Sequence, residues 1–261
     1  MQKAVVIGGG AIGMASAYYL ERSGWQVTVV DSGEIGRGCS YGNACLVTAS
    51  HSHPMAGPGV ISQALRWMLR KDSPFYIRPR FDPSLIRWVW RFRRYCNRDD
   101  LESGYRALLE LSRLSLDLFE QLHRTLEFFF EREGMLHVYL GEDAGESAQK
   151  DRDEMQSAGF ATRLLDRDGV LGFEPALSER ARAGLFIEGE AHGFSFGYVQ
   201  ALAAFLEKGK ANVLPNRAVS AIRLDNGRVR GVRLQSPEEE IEADLVVLAA
   251  GSWTPLIAKK L

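Results

Sequence analysis

Near the start of the chain, Gly8, Gly10 and Gly13 stand in the pattern Gly-x-Gly-x-x-Gly, and Asp31 follows 18 residues after the last of them. Such a set suits one chemistry, the grip on a dinucleotide. Gly8 permits a tight turn, Gly10 lets the backbone approach a pyrophosphate, and Gly13 lets the following helix pack closely on the preceding strand. The first helical residues, Ala11 and Ile12, then offer unpaired N–H groups and the positive end of the helix dipole to the phosphates. Asp31 can accept hydrogen bonds from both ribose hydroxyls, and its charge would repel a 2′-phosphate, which disfavours NADP.

The glycine pattern alone is weak, so its context decides. Ala4-Val5-Val6-Ile7 is a short apolar run of the kind found in a parallel strand buried on both faces. Ala11 to Ser23 reads as a helix with Gly24 just past its end, and Val27 to Val30 as a second buried strand ending at Asp31. Residues 32 to 60 are rich in Gly, Ser, Asn, His and Pro and read largely as loop. Asp82-Pro83 opens a helix. A longer helical stretch is predicted from Asp99 or Asp100 to Gly134, broken within or continuous. Strands are predicted at Met135–Leu140 and Ala183–Ile187, with a polar helix near 143–158 between them and a further helix over Ser195–Lys208. An antiparallel pair, Ala218–Leu224 and Val229–Gln235, turns at Asp225-Asn226-Gly227. Ala243 to Gly251 reads as a buried strand running into a glycine.

That last strand bears on the choice of dinucleotide. After an NAD-binding β-α-β unit, further βα units normally complete the sheet at once. Here the chain departs for about 190 residues and returns through the meander to Ala249-Ala250-Gly251. The arrangement resembles the flavoproteins with two dinucleotide-binding-type folds, and FAD is the expected cofactor. Gly251 would allow close backbone approach where a side chain would clash.

Other reactive residues are read more plainly. Cys39, Cys45 and Cys96 are odd in number and unclustered, so they suggest neither a disulfide framework nor a metal site, and a reducing, cytoplasmic setting follows. His51 and His53 follow the glycine-rich loop and could face a substrate, but they read as parts of a polar surface loop without metal spacing. His137 alternates within an apolar strand and is expected to be a satisfied structural histidine. Residues 66 to 98 carry ten Lys or Arg against Asp72 and Asp82, a local charge of +8 in a chain whose net charge is −1. On the helix after Pro83, Leu85, Trp88, Val89, Phe92 and Cys96 line one face. Arg87, Arg91, Arg94 and Arg98 line the other, with Trp90 beside them. An ordinary solvated basic face explains this, and so does docking on an anionic membrane surface through Arg87, Trp90, Arg91 and Arg94. No nucleic-acid-binding signature accompanies it.

At 261 residues and 46% hydrophobic, the chain can bury a sizeable core. Lys3 before an apolar run, with Ala15-Ser16-Ala17, imitates a leader, and Gly9 with Gly13 imitates a membrane-helix motif. So many glycines make a poor helix, and the chain is expected to be unprocessed and without a transmembrane segment.

With both ends placed, the chain resembles the D-amino-acid oxidase/dehydrogenase superfamily of FAD-dependent oxidoreductases, and most of all its bacterial D-amino-acid dehydrogenase small-subunit branch. The resemblance rests on Val5 through Asp31, Cys39-Ser40-Tyr41-Gly42-Asn43-Ala44, Ala56-Gly57-Pro58-Gly59, the aromatic-basic segment 67–94, Glu174-Pro175-Ala176-Leu177, and Val246 through Trp253. It implies an α/β fold with an α+β substrate lobe, in which a Rossmann-type FAD domain is interrupted by a substrate-domain insertion. The FAD domain would comprise residues 1–45 and 196–261, and the insertion residues 46–195. Ser40, Asn43 and Ala44 would lie along the pyrophosphate and isoalloxazine, and Val219 would offer backbone groups to the adenine. Ala250 and Gly251 would contact the flavin side, and Ser32 joins Asp31 among the cofactor-binding positions. Cys45 stands where the family usually has glycine. Family members continue beyond the point matching Leu261, so the chain is expected to lack a C-terminal portion that commonly grips the substrate carboxylate, and no catalytic residue is named. The implied reaction is oxidation of a D-amino or cyclic imino acid by hydride transfer from Cα to flavin N5, with electrons passed to a quinone or partner protein. Glycine, sarcosine, proline or hydroxyproline are alternative substrates, and a truncated flavin-binding subunit or inactive fragment is an alternative role.

Overall fold

A computed structural model describes residues 1–259 except Lys71, Asp72, Pro74, Phe75 and Pro79. The chain opens with β1 (Lys3–Ile7), α1 (Ala11–Arg22) and β2 (Gln26–Val30), then passes through a loop to the two-residue β3 (Leu46–Val47). Three helices follow: α2 (Val60–Met68), α3 (Pro83–Arg94) and α4 (Arg98–His123). Next come β4 (Phe130–Glu131), β5 (Met135–Tyr139), α5 (Ala144–Ser157), β6 (Thr162–Leu165), α6 (Arg167–Phe173), β7 (Ala183–Ile187) and β8 (Ala191–Gly193). The remainder is α7 (Ser195–Lys208), β9 (Asn212–Leu214), β10 (Val219–Asp225), β11 (Arg228–Leu234), β12 (Glu239–Glu242), β13 (Leu245–Leu248), a 3₁₀ turn over Gly251–Trp253 and α8 (Thr254–Ala258).

These elements form two compact units. The first comprises Met1–Leu46, Glu120–Glu131 and His192–Leu261, and the second Val47–Phe119 and Arg132–Ala191. At the centre of the first unit is a parallel sheet in the order β13-β1-β2-β9, with Val5 opposite both Val246 and Thr28. Val5, Ile7 and Val30 pack against Ile222, Val232, Leu234 and Ala243 of the meander region. α1 lies against α7, buries Met14, Ala17 and Tyr18, and sets the Tyr18 ring 4.8 Å from that of Phe205. In the meander, Asn226 and Gly227 both have positive φ (50° and 76°), the geometry of a two-residue hairpin turn matched to strand twist.

The second unit is built on the antiparallel sheet β5-β7-β6. Ala144, Ala148 and Met155 of α5 cover the face that carries Ala183, Leu185 and Ile187. α6 places Val170 over Gly184 on the other face, where a Cβ on Gly184 would come 2.8 Å from Val170.

Three expectations need correction. The long helix ends at His123 rather than Gly134. No glycine or proline marks that stop. Instead Phe128 and Phe130 are buried, the His123 ring meets Phe128 O at 2.9 Å, and Phe130 and Glu131 pair with Gly193 and His192 of β8, so tertiary pairing overrides local helix propensity. The meander has a third strand, β12, although its sequence is Glu-Glu-Ile-Glu. Arg233 on the adjacent β11 and Arg223 on β10, one strand further in, each pair with Glu240, at 2.9 Å in both cases. The final strand is shorter than predicted, Leu245–Leu248.

Candidate cofactor site

The three glycines do different things. Gly8 has φ +114°, and a Cβ there would run into the Ala249 carbonyl. A Cβ on Gly13 would run into the Gly8 carbonyl, so this glycine lets α1 close down on the end of β1. Gly10 is the one that opens space: a Cβ would meet only Ser40 Oγ, at 3.2 Å. Beyond it the helix begins with Gly10 in extended conformation as N-cap, no side-chain cap, and no acidic residue in the first turn. An anion there would meet the positive end of the helix dipole, but the Ala11 N–H, expected to be unpaired, has a partner, and the Asp31 carboxylate stands close by on Gly9 N–H. Ala11 N–H donates to Ser40 Oγ at 2.9 Å, which brings the loop hydroxyl over the helix N-terminus. Ile12 is largely exposed.

Asp31, at the end of β2, accepts from Gly9 N–H with one oxygen (2.7 Å) and from Gly33 N–H with the other (2.8 Å). Its own carbonyl accepts from Arg217 N–H, and Gly33 O accepts from Asn216 N–H. These bonds carry the link between β9 and β10, and so the start of β10 at Val219, past the end of β2. After β13, Ala249 N–H donates to Ile7 O, and Ala249 and Ala250 lie beside Gly8. Gly251 has φ +54° and nothing within 4 Å of where a Cβ would stand. Gly8, Gly10, Ala11, Gly13, Asp31, Ser40 and Ala250 thus converge at the C-terminal ends of β1, β2 and β13. Ser32 and Ala44 are exposed.

Asn43 is turned onto its own loop. Its Nδ2 donates to Cys39 O (3.1 Å), Ser40 O (3.3 Å) and Ser195 Oγ (2.9 Å), while Oδ1 accepts from Cys45 N–H at 2.8 Å. Cys45 has φ +58°. A Cβ is costly in that region, and the Asn43 bond holds it there.

In the second unit, His53 Nε2 lies 2.9 Å from Glu154 Oε1 and its ring stacks on Tyr105 at 4.3 Å. His51 Nδ1 meets Ser50 Oγ at 3.2 Å, and its ring lies edge-on to His137 at 5.2 Å. His137 is not the satisfied histidine expected: its Nε2 is buried with no hydrogen-bond partner among the described residues. Burial, and then the neighbouring His51, push its pKa down. Glu190 was missed from sequence altogether. It is buried, and its carboxylate accepts from Ala49 N–H and Ser50 N–H, each at 3.0 Å. Burial pushes its pKa up. No sequence signal separates this glutamate from Glu188, two residues before it.

On α3, Asp82 caps the helix, accepting from Ser84 N–H at 2.9 Å and Leu85 N–H at 3.3 Å. The apolar stripe is only partly covered. Leu85, Phe92 and Cys96 are half-buried, whereas Trp88 is 54% exposed and Trp90 67%. Among the described residues, no helix is long and apolar enough to cross a membrane.

A parallel sheet with a glycine turn, a helix N-terminus and an acid at its carboxyl edge defines a dinucleotide-binding protein. Residues 3–261 match the model of the DAO family, FAD dependent oxidoreductases, and the chain belongs to that family. It is 32% identical over 263 residues to a D-amino acid dehydrogenase of Cereibacter sphaeroides, covering 98% of this chain and 60% of that protein. To D-amino acid dehydrogenase 2 of Ralstonia nicotianae it is 35% identical, covering 94% of this chain and 59% of that protein. The chain therefore spans about three fifths of the length of the curated relatives it matches. Among solved structures, glycine oxidase from Bacillus cereus superposes with a TM-score of 0.72 at 22% identity, covering 99% of this chain and 58% of that one. L-proline dehydrogenase from P. horikoshii gives 0.62 at 20% identity, covering 99% and 55%. FAD is the cofactor of the family, and the residues fit it: Gly10 leaves a cradle that a Cβ would fill, and each Asp31 oxygen keeps acceptor capacity beyond its main-chain bond.

Proposed function

We propose that this protein oxidises the C–N bond of a D-amino acid, or a related cyclic imino acid, using FAD. The supporting observation is its 32% identity, across 98% of its length, to a D-amino acid dehydrogenase, together with the glycine turn, helix N-terminus and Asp31 at the carboxyl edge of the parallel sheet. Gly8, Gly10, Ala11, Ile12 and Gly13 would hold the pyrophosphate, Asp31 and Ser32 the ribose, and Val219 the adenine. Ser40, Asn43, Ala44, Ala250 and Gly251 would line the path toward the flavin ring. FAD, when bound, supplies a two-electron acceptor. The helix N-terminus and Gly10 admit the phosphates while Asp31 rejects a ribose phosphate. Loss of the Cα hydrogen with its electron pair and of a proton from nitrogen would leave an imine. Water converts it to a 2-oxo acid and ammonia where the amine is primary, and opens the ring to an amino-bearing 2-oxo acid where it is cyclic. The two electrons pass on to a quinone or a partner redox protein.

The glycine oxidase and proline dehydrogenase likenesses favour a second reading, with glycine, sarcosine or proline as substrate. A panel of amino acids, offered to the FAD-loaded protein with an artificial electron acceptor, separates the readings. Reduction by D-amino acids and not their L-enantiomers is expected. Turnover only with glycine, sarcosine or L-proline would favour the second reading. Bound FAD that no amino acid bleaches would mean a flavin-binding chain without this activity.

The setting proposed is the cytoplasm, at the inner face of the cell membrane, with the protein held peripherally by α3. Exposed Trp88 and Trp90 beside Arg87, Arg91 and Arg94 support that placement, since basic charge with interfacial aromatics suits an anionic surface. It would bring the flavin near a quinone pool.

A further inference from the structure

The loop that carries Ser40, Asn43 and Ala44 is held from outside itself, by the first two turns of α7, some 150 residues away in the chain. Ser195 Oγ donates to Ser40 O at 2.8 Å and accepts from Asn43 Nδ2 at 2.9 Å. Next to it, Phe196 shares the Arg37 guanidinium with Tyr41, the charge lying 4.7 Å from one ring and 4.8 Å from the other. A turn further on, Val199 closes over Gly36, whose φ is +78° and whose Cβ, if present, would come within 2.9 Å of it. Gln200 Nε2 donates to Ile35 O at 3.1 Å. Residues 195, 196, 199 and 200 lie on one side of a helix, so α7 presents a single face to the whole 35–45 loop.

We propose that Ser195 is a positioning residue for FAD, setting the 40–45 loop and, through Ser40, the donor at Ala11. The proposal rests on the reading that this loop meets the cofactor. The Ser195 hydroxyl joins the two residues that shape the loop. Ser40 lies over the helix N-terminus, and Asn43 bonds Cys45 in its left-handed conformation. Without that hydroxyl the loop samples other conformations, and binding must supply the ordering that the fold now provides. Phe196 and Val199 still pack, so the protein folds but holds FAD less well.

The test is a double-mutant cycle in FAD affinity, read by flavin fluorescence on the FAD-free chain. Ser195→Ala should weaken FAD roughly tenfold, as expected for two neutral hydrogen bonds. The melting temperature of the FAD-free protein should barely move. Ser195→Thr, which keeps the hydroxyl, should restore affinity. Asn43→Ala should weaken binding comparably, and the double variant should be little worse than either single one, because both act through one latch. Unchanged affinity in Ser195→Ala, or losses that multiply in the double variant, would overturn the proposal. A parent chain that takes up no FAD would instead refute the cofactor assignment itself.

Discussion

Asp31 gives the sharpest measurement. Its two oxygens each accept one main-chain N–H, from Gly9 at 2.7 Å and Gly33 at 2.8 Å. A carboxylate offers about four acceptor sites, so roughly two remain for ribose hydroxyls. One hydrogen bond to a charged acceptor contributes about 1.5–3 kcal/mol. At about 1.4 kcal/mol per decade, each ribose bond lost in Asp31→Ala should weaken FAD binding roughly 10- to 150-fold. The same substitution strips Gly9 and Gly33 of their partners, so the FAD-free protein should also melt earlier. Asp31→Asn should not rescue it: one oxygen becomes an NH₂ group facing a main-chain N–H. Fluorescence titration with FAD and with FMN separates the local effect from a general one. FMN lacks the adenosine that Asp31 would hold, so its weaker binding should be indifferent to either substitution. Equal affinity of the parent for FMN and FAD, or an unchanged FAD affinity in Asp31→Ala, would refute this placement of the carboxylate.

Gly10→Val should fold but retain no FAD, measured as flavin occupancy after purification, because its side chain fills the cradle. Gly13→Ala should damage the fold itself by about 1–3 kcal/mol, seen in denaturant midpoints, since its Cβ meets the Gly8 carbonyl. His137→Phe should stabilise the protein, and more so in acid. With the folded pKa of His137 below the usual histidine value, the unfolded chain binds the extra proton, so stability present above about pH 6.5 is lost as pH falls toward the folded pKa. Melting curves from pH 5 to 8 check this, and a parallel shift at every pH would count against it. Arg87, Arg91 and Arg94 changed together to Gln should cost about 3 kcal/mol of binding to anionic vesicles at low salt, at about 1 kcal/mol each. Co-sedimentation should weaken with salt and be slight on neutral vesicles, and equal recovery on both would leave α3 a merely solvated helix.

Much of this architecture was legible where local chemistry and tertiary demand agree. Ala183–Ile187 and Ser195–Lys208 read correctly because strand and helix there carry unbroken apolar signals, and Asn226-Gly227 because few residue pairs accept positive φ twice. The glycine turn was legible for a related reason: Gly8 and Gly13 answer backbone approaches that a Cβ would block, and Gly10 leaves open space beside Ser40. The elements that escaped depend on partners far away in sequence. β9, three residues long, is a strand because β2 offers an edge to it. β12 is acidic and becomes a strand because arginines face it. Helix α4 stops at His123 because the buried phenylalanines and β8 claim the residues after it. Within the candidate site, Asp31 could be named from spacing alone. Ser195 could not, since its importance appears only when the start of α7 folds against a loop some 150 residues earlier in the chain.

The first unit is stitched from three stretches of chain, and this has a consequence for synthesis. β1 lies in the middle of its sheet, between β2 and β13. One neighbour emerges at once, but the other starts at Leu245, more than 200 residues after β2 ends at Val30. At ordinary ribosomal rates that interval is roughly 10–40 s. Throughout it, the apolar edge Ala4-Val5-Val6-Ile7 has no strand on one side, a template for pairing with other chains. Pairing across such a separation is also slow to nucleate, because distant ends must meet before any contact repays the loss of freedom. The unit that starts first is therefore completed last, and its yield in cells should depend on chaperone capacity more steeply than its final stability would suggest.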